Sequence, residues 1–188
     1  QVQVQTEISD VGLSALAARL PRSLWSLNLN LFETRVSNRG LMELGAHLGE
    51  GLQKLALDLT DRKVSDEGLT DFSVHLPRGL RSLNLDLFGT EVGDDGLKEL
   101  AKHLPYQLEH VHMALSLTRV SDEGFASLVD HLPRGLRRLY LDLDGTQVTD
   151  NALQTLDGQQ GASLEGLSLD FTDTRVTEAA LRAFVAHL

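Results

Sequence analysis

Along this chain a short stretch of alternating apolar and polar residues gives way to a stretch with helical spacing, and the pair of patterns then repeats. The stretch from Leu80 to Gln107, LRSLNLDLFGTEVGDDGLKELAKHLPYQ, is one complete unit. The same unit starts at Leu24, Leu52, Leu108, Leu136 and Leu164, each start 28 residues after the last. Residues 1–23 supply a partial repeat before the first start, and residues 164–188 the last copy, so residues 1–188 are expected to form one domain. A fixed period of this length marks a solenoid, in which each unit stacks on its neighbours and cannot bury its apolar face alone.

With Leu80 as position 1, positions 4, 6 and 8 are apolar (Leu83, Leu85, Leu87) and positions 5 and 7 polar (Asn84, Asp86). A spacing of two predicts a strand with its leucines on one face. The leucine at position 8 extends the alternation and predicts a lengthened strand. Position 13 is valine in every full copy, followed in most by Ser or Thr (Ser37, Ser65, Ser121, Thr149, Thr177) and then an acid or Asn. That is the pattern of a helix N-cap with acids in the first turn, facing the positive end of the dipole. Apolar residues at positions 18, 21 and 25 (Leu97, Leu100, Leu104) predict the buried stripe of a helix, and Pro77, Pro105 and Pro133 its end. Identical direction in every copy makes the sheet parallel.

The repeat resembles the leucine-rich repeat superfamily, whose signature is LxxLxLxxNxL, and its 28-residue period with a full helix is similar to the ribonuclease-inhibitor-like class. This chain reads LxxLxLxLxxTxV, with threonine (Thr34, Thr90, Thr118, Thr146, Thr174) in place of the family's asparagine and Arg62 breaking the column. The resemblance implies an α/β fold: a curved horseshoe segment with a parallel sheet on its concave side and helices on its convex side. It also implies partner binding through the concave strand face.

Some segments depart from the pattern. Val2 and Val4 alternate with glutamines and suggest an edge strand. Gly158 and Gln160 predict a short or frayed fifth helix. The chain opens in mid-repeat without methionine, and both ends are expected to expose core surface or to meet neighbouring subunits.

Composition narrows the partners. The net charge is −10, with 27 acidic and 17 basic residues, which disfavours nucleic acid, since phosphate binding needs a basic footprint. A protein with a basic surface is the better electrostatic match. No apolar run reaches the roughly 18–20 residues of a membrane span, so no membrane insertion is expected. There is no cysteine, and the start has no secretory pattern, which together favour an intracellular setting. No cofactor is implied: GTEVGDDG lacks the lysine of a phosphate-binding loop.

Candidate chemistry lies on the outward strand positions. Position 7 reads Asn30, Asp58, Asp86, Ala114, Asp142 and Asp170, an acidic row that either solvates the face or meets a basic partner. The fourth and fifth copies are the least repetitive, placing His110, His112, Arg138 and Tyr140 in one patch bordered by Asp86, Asp142 and Asp170. Tyr and Arg are residue types that anchor interfaces. His110 and His112 lack a third zinc ligand, and no carboxylate pair is set apart for hydrolysis, which leaves a metal-assisted hydrolase as the minor alternative. The histidines of position 24 (His47, His75, His103, His131, His187) fall at helix ends and are expected to be structural, as are the threonines, whose hydroxyls suit the turn backbone. The glycines at position 17 (Gly40, Gly68, Gly96, Gly124) are expected to permit close backbone packing.

The sequence therefore predicts a non-enzymatic protein-interaction module, with a structural segment of a larger assembly as the alternative.

Overall fold

A computed structural model describes residues 8–60, 63–157 and 164–186. Helices and strands alternate along the chain: α1 (Asp10–Ala17), β1 (Ser26–Asn30), α2 (Asn38–Ala46), β2 (Lys54–Asp58), α3 (Asp66–Ser73), β3 (Ser82–Asp86), α4 (Asp94–Lys102), β4 (His110–Ala114), α5 (Asp122–Asp130), β5 (Arg138–Asp142), α6 (Asp150–Asp157), β6 (Gly166–Asp170) and α7 (Glu178–Val185). The strands form one parallel sheet in the order β1-β2-β3-β4-β5-β6. Register is locked at one repeat, so Ser82 pairs with His110 and His110 with Arg138. Parallel strands lie about 4.8 Å apart, whereas packed helices need about 8–10 Å. Stacking them unit by unit bends the chain, with the strands on the inner, concave side.

The core is aliphatic and continuous. Leu83, Leu85, Leu87, Val92, Leu97 and Leu100 of the third full repeat are all buried, as are their counterparts in the repeats on either side. Phe72 and Phe125 take leucine positions on α3 and α5 with no exposed surface. Packing across repeats fixes even small residues: a Cβ on Gly45 would lie 3.2 Å from the Phe72 ring.

Two local expectations change. The strands are five residues long, covering positions 3 to 7, and are not lengthened. The leucine at position 8 is buried beyond the strand, where Leu87 opens a turn by accepting a hydrogen bond from Thr90 N–H (3.1 Å). Helices α2, α4 and α5 stop two residues before the position-25 leucine, and α1 and α3 three, so His47, His103 and His131 are C-caps and do not lie within the last turn. The fifth repeat's α6 spans eight residues, as α3 does; Gly158 and Gln160 lie outside the described residues, as do Val2, Val4, Arg62 and His187.

The capping scheme is shared between repeats. Asp94, at position 15 on α4, accepts Ser121 N–H (2.8 Å) and Gly124 N–H (3.0 Å) at Oδ1, and Ser121 Oγ–H (2.6 Å) at Oδ2. It thus satisfies the start of the next helix, α5, where backbone donors would otherwise be left without partners. Asp10, Asp122 and Asp150 make the same bonds to Ser37, Thr149 and Thr177. The Ser and Thr of position 14 cap their own helix in α2, α5 and α7, but Ser9 and Ser65 make no such bond. Glycine at position 17 makes room for the clamp: a Cβ on Gly124 would lie 2.5 Å from Asp94 Oδ1 and 2.9 Å from its Cα.

The repeated histidines and threonines are structural. His47, His103 and His131 hold Nδ1 at 2.8 Å from the carbonyl four residues earlier. Thr34, Thr90, Thr118, Thr146 and Thr174 each donate Oγ1–H to the carbonyl three residues back, at 2.6–2.8 Å.

Candidate functional site

Alternation along β3 to β6 puts positions 3, 5 and 7 on the concave face while Leu83, Val111, Leu139 and Leu167 point to the core side. Register then stacks equivalent residues into rows. The residues of positions 3 and 5 enclose an open hollow of about 480 Å³ reaching from Ser82 and Asn84 through His110, His112, Arg138 and Tyr140 to Gly166 and Ser168. Small residues at both ends and large ones between give the hollow its shape.

His112 and Tyr140 are direct partners across β4 and β5, with ring centroids 4.1 Å apart and planes tilted by 47°. Such aromatic pairs add about 0.5–1.5 kcal/mol beyond their area. Tyr140 keeps 39% of its surface exposed, so the pair is ordered yet open to a partner. His112 is exposed by area but crowded at its ring. Burial lowers its pKa below the ordinary histidine value, while Asp86 and Asp142 pull the other way. His112 is accordingly neutral at neutral pH. His110 carries its Nδ1 buried and without a partner among the described residues, as does Ser116 Oγ in the same repeat.

Asp86, Asp142 and Asp170 do not line the hollow; they stand along its rim at the C-terminal ends of their strands. Each has a structural task that the alternation concealed. Oδ1 of Asp86 accepts Phe88 N–H (3.1 Å), that of Asp142 accepts Asp144 N–H (3.1 Å), and that of Asp170 accepts Thr172 N–H (2.8 Å). Asn30 does the same for Phe32 N–H at 2.9 Å, so the turn needs an oxygen and not a charge. The hydrogen bonds from Thr172 hold the Asp170 carboxyl below its ordinary range. Desolvation raises that of Asp144, aided by Asp173, Asp142 and Asp170.

At the other end of the strands, position 2 alternates in charge. Arg81 pairs with Glu109 and Arg137 with Glu165, each at 2.5 Å. Toward β1, Lys54 Nζ lies 5.4 Å from the Trp25 ring centroid. These ladders were not anticipated, although a 28-residue comparison of position 2 displays them. Among the described residues no group of three or more His, Asp or Glu could hold a metal ion. No described helix is long and apolar enough to cross a membrane.

The fold is that of known proteins. A family profile described as leucine-rich repeat matches residues 79–101. Among solved structures, one chain of a Rad7 and Elc1 complex in yeast matches with a TM-score of 0.51 at 19% identity, over 93% of this chain and 52% of that one. An internalin, inlF, from Listeria monocytogenes matches with a TM-score of 0.52 at 17% identity, over 97% of this chain and 50% of its own. The C-terminal domain of a Caenorhabditis elegans tropomodulin gives 0.50 at 15% identity, over 96% and 92%. This chain spans about half the length of the first two. No curated protein matches the sequence significantly. The chain has the leucine-rich repeat fold, a solenoid of parallel strands backed by helices.

Proposed function

We propose that this chain is a non-enzymatic interaction module that holds a protein partner on its concave strand face. The observation that carries the reading is the open His112–Tyr140 ring pair in the middle of the hollow. Tyr140 and Arg138 are the anchors, because aromatic and guanidinium groups dominate interface energetics when a partner covers them. His110 and His112 complete the patch, and Asp86, Asp142 and Asp170 on the rim favour a partner with a basic surface. Rigid strands hold these groups, so little ordering cost falls on this side of the complex. The ribonuclease-inhibitor-like class is the reading that the 28-residue period and the helix in every described repeat support.

The test is affinity capture from the native source with the unaltered chain and with the double variant Arg138→Ala/Tyr140→Ala. The expected result is at least a ten-fold loss of the captured partner while the melting temperature is kept. Equal recovery from a folded variant would refute the site.

A second reading, a segment held within a larger assembly, draws support from apolar residues exposed on the outermost described helices: Val11 at 79% and Val185 at 64%. Sedimentation decides: a monomer at micromolar concentration argues against it.

A further inference from the structure

The hollow reverses the charge of the protein around it. The chain carries 27 acidic residues and a net charge of −10, yet among the described residues that line the hollow none is acidic. The lining supplies donors instead: a guanidinium, two imidazoles, a phenol, and the side chains of Ser82, Asn84 and Ser168. The position-3 row sets His110 and Arg138 side by side across β4 and β5, with Ser82 before them and Gly166 after. Glycine keeps that end open, and a Cβ on it would lie 3.5 Å from Arg138 Cγ, an ordinary contact.

Neither His110 nor Arg138 spends its donors within the protein. The neighbouring Arg81 and Arg137 are paired with Glu109 and Glu165, whereas Arg138 makes no side-chain hydrogen bond or ion pair among the described residues. Glu165 is held below its ordinary range chiefly by the hydrogen bond from Arg137, with Arg138 and His110 adding to the pull. It does not line the hollow. Nδ1 of His110 is buried without a partner, so this ring can hydrogen-bond only through Nε2, which is not sealed off. With the lone pair left on the buried nitrogen, Nε2 carries the proton and donates. A guanidinium and an N–H one strand spacing apart, about 4.8 Å, suit the two oxygens of a carboxylate, and charge-assisted bonds of that kind are the strong ones.

We propose that the hollow at His110 and Arg138 is a pocket for one carboxylate side chain, aspartate or glutamate, of a protein partner. This rests on the concave-face reading and adds the chemistry of the docked residue. The rim aspartates stand four residues further along the strands, roughly 13 Å away. A segment with an acidic residue in the pocket and a basic one over the rim meets both, which fixes the direction in which it lies. A single negative charge matches the one guanidinium; a phosphate dianion would be left half neutralised in a protein that is already acidic.

The test uses the full chain, the blocked tripeptide acetyl-Ala-Glu-Ala-amide and its glutamine analogue, followed by two-dimensional NMR. The glutamate peptide should shift His110, Arg138 and Gly166, and the glutamine analogue should bind at least about ten-fold more weakly. Arg138→Gln should lose the same factor, and Arg138→Lys should retain part of it. Gly166→Asp supplies the pocket with the chain's own carboxylate and should abolish the shifts, while Gly166→Asn, of the same size, should keep them. Equal binding of the two peptides at these residues would overturn the carboxylate pocket and leave concave docking standing. Binding of a phosphoserine tripeptide where the glutamate peptide fails would overturn it too. Shifts confined to the helical face, or none at all, would do the same. The wider reading would then stand or fall on the Arg138 and Tyr140 capture experiment.

Discussion

Asp94 and Ser121 are 27 residues apart in sequence and joined by two hydrogen bonds, from the serine's N–H at 2.8 Å and its hydroxyl at 2.6 Å. With Gly124 N–H they make the start of each helix depend on the repeat before it. Replacing Asp94 by alanine strips α5 of these acceptors and should cost about 2–3 kcal/mol, the upper range for a cap with charge-assisted bonds. Asp94→Asn keeps one acceptor and should cost about 1 kcal/mol. Urea unfolding monitored by circular dichroism measures both, and an alanine variant as stable as the parent would remove the clamp from the account.

Gly124 admits the Asp94 carboxylate, and Gly124→Ala would push a Cβ to 2.9 Å from the Asp94 Cα. Backbone cannot yield as a side-chain tip does, so the expected loss is about 1–3 kcal/mol, despite alanine's better helix propensity. Ala152 occupies the equivalent place in α6, and there no bond runs from its N–H to Asp122: it donates to Thr149 O at 3.0 Å instead. A thermal melt with a raised midpoint for Gly124→Ala would contradict the packing argument.

Thr118 is 5% exposed and donates to Leu115 O at 2.6 Å. Thr118→Val keeps the shape but leaves that acceptor with one bond fewer, at a cost of about 1 kcal/mol, whereas Thr118→Ser should retain the hydroxyl's contribution. Paired denaturation curves with valine worse than serine are the expected outcome; the reverse order would assign the column to side-chain packing instead.

His112 titrates below the ordinary histidine value because burial disfavours its charged form. In the window between its folded pKa and about 6.5, the unfolded chain binds more protons than the folded one. Its contribution to stability is therefore present above about pH 6.5 and lost as pH falls through that window. NMR titration of the His112 ring should give a midpoint below the ordinary histidine value of about 6.5. A midpoint above it would mean that Asp86 and Asp142 dominate.

Position columns explain what could be read in advance. Leucines at positions 4 and 6 announce a strand by spacing alone, and the 28-residue register places His112 opposite Tyr140 without coordinates. Asp94 was legible only as an acid in its own helix's first turn, because its partners, Ser121 and Gly124, lie one repeat ahead. Asp86 faces outward and also caps a turn, and alternation reveals only the first role. Leu87 continued the alternation although its backbone had already left the strand. The left-handed turn at Glu33, Leu117 and Asp173 had no sequence signal beyond these residues standing where Gly89 and Gly145 stand.

Hydrogen–deuterium exchange on the captured complex tests the central claim most directly, since it reads which face the partner covers. The concave-face account predicts slowed exchange in peptides spanning residues 110–117 and 138–145 on binding, with residues 94–102 and 122–130 of α4 and α5 unchanged. Protection confined to those helices, with β4 and β5 exchanging as in the free chain, would contradict it.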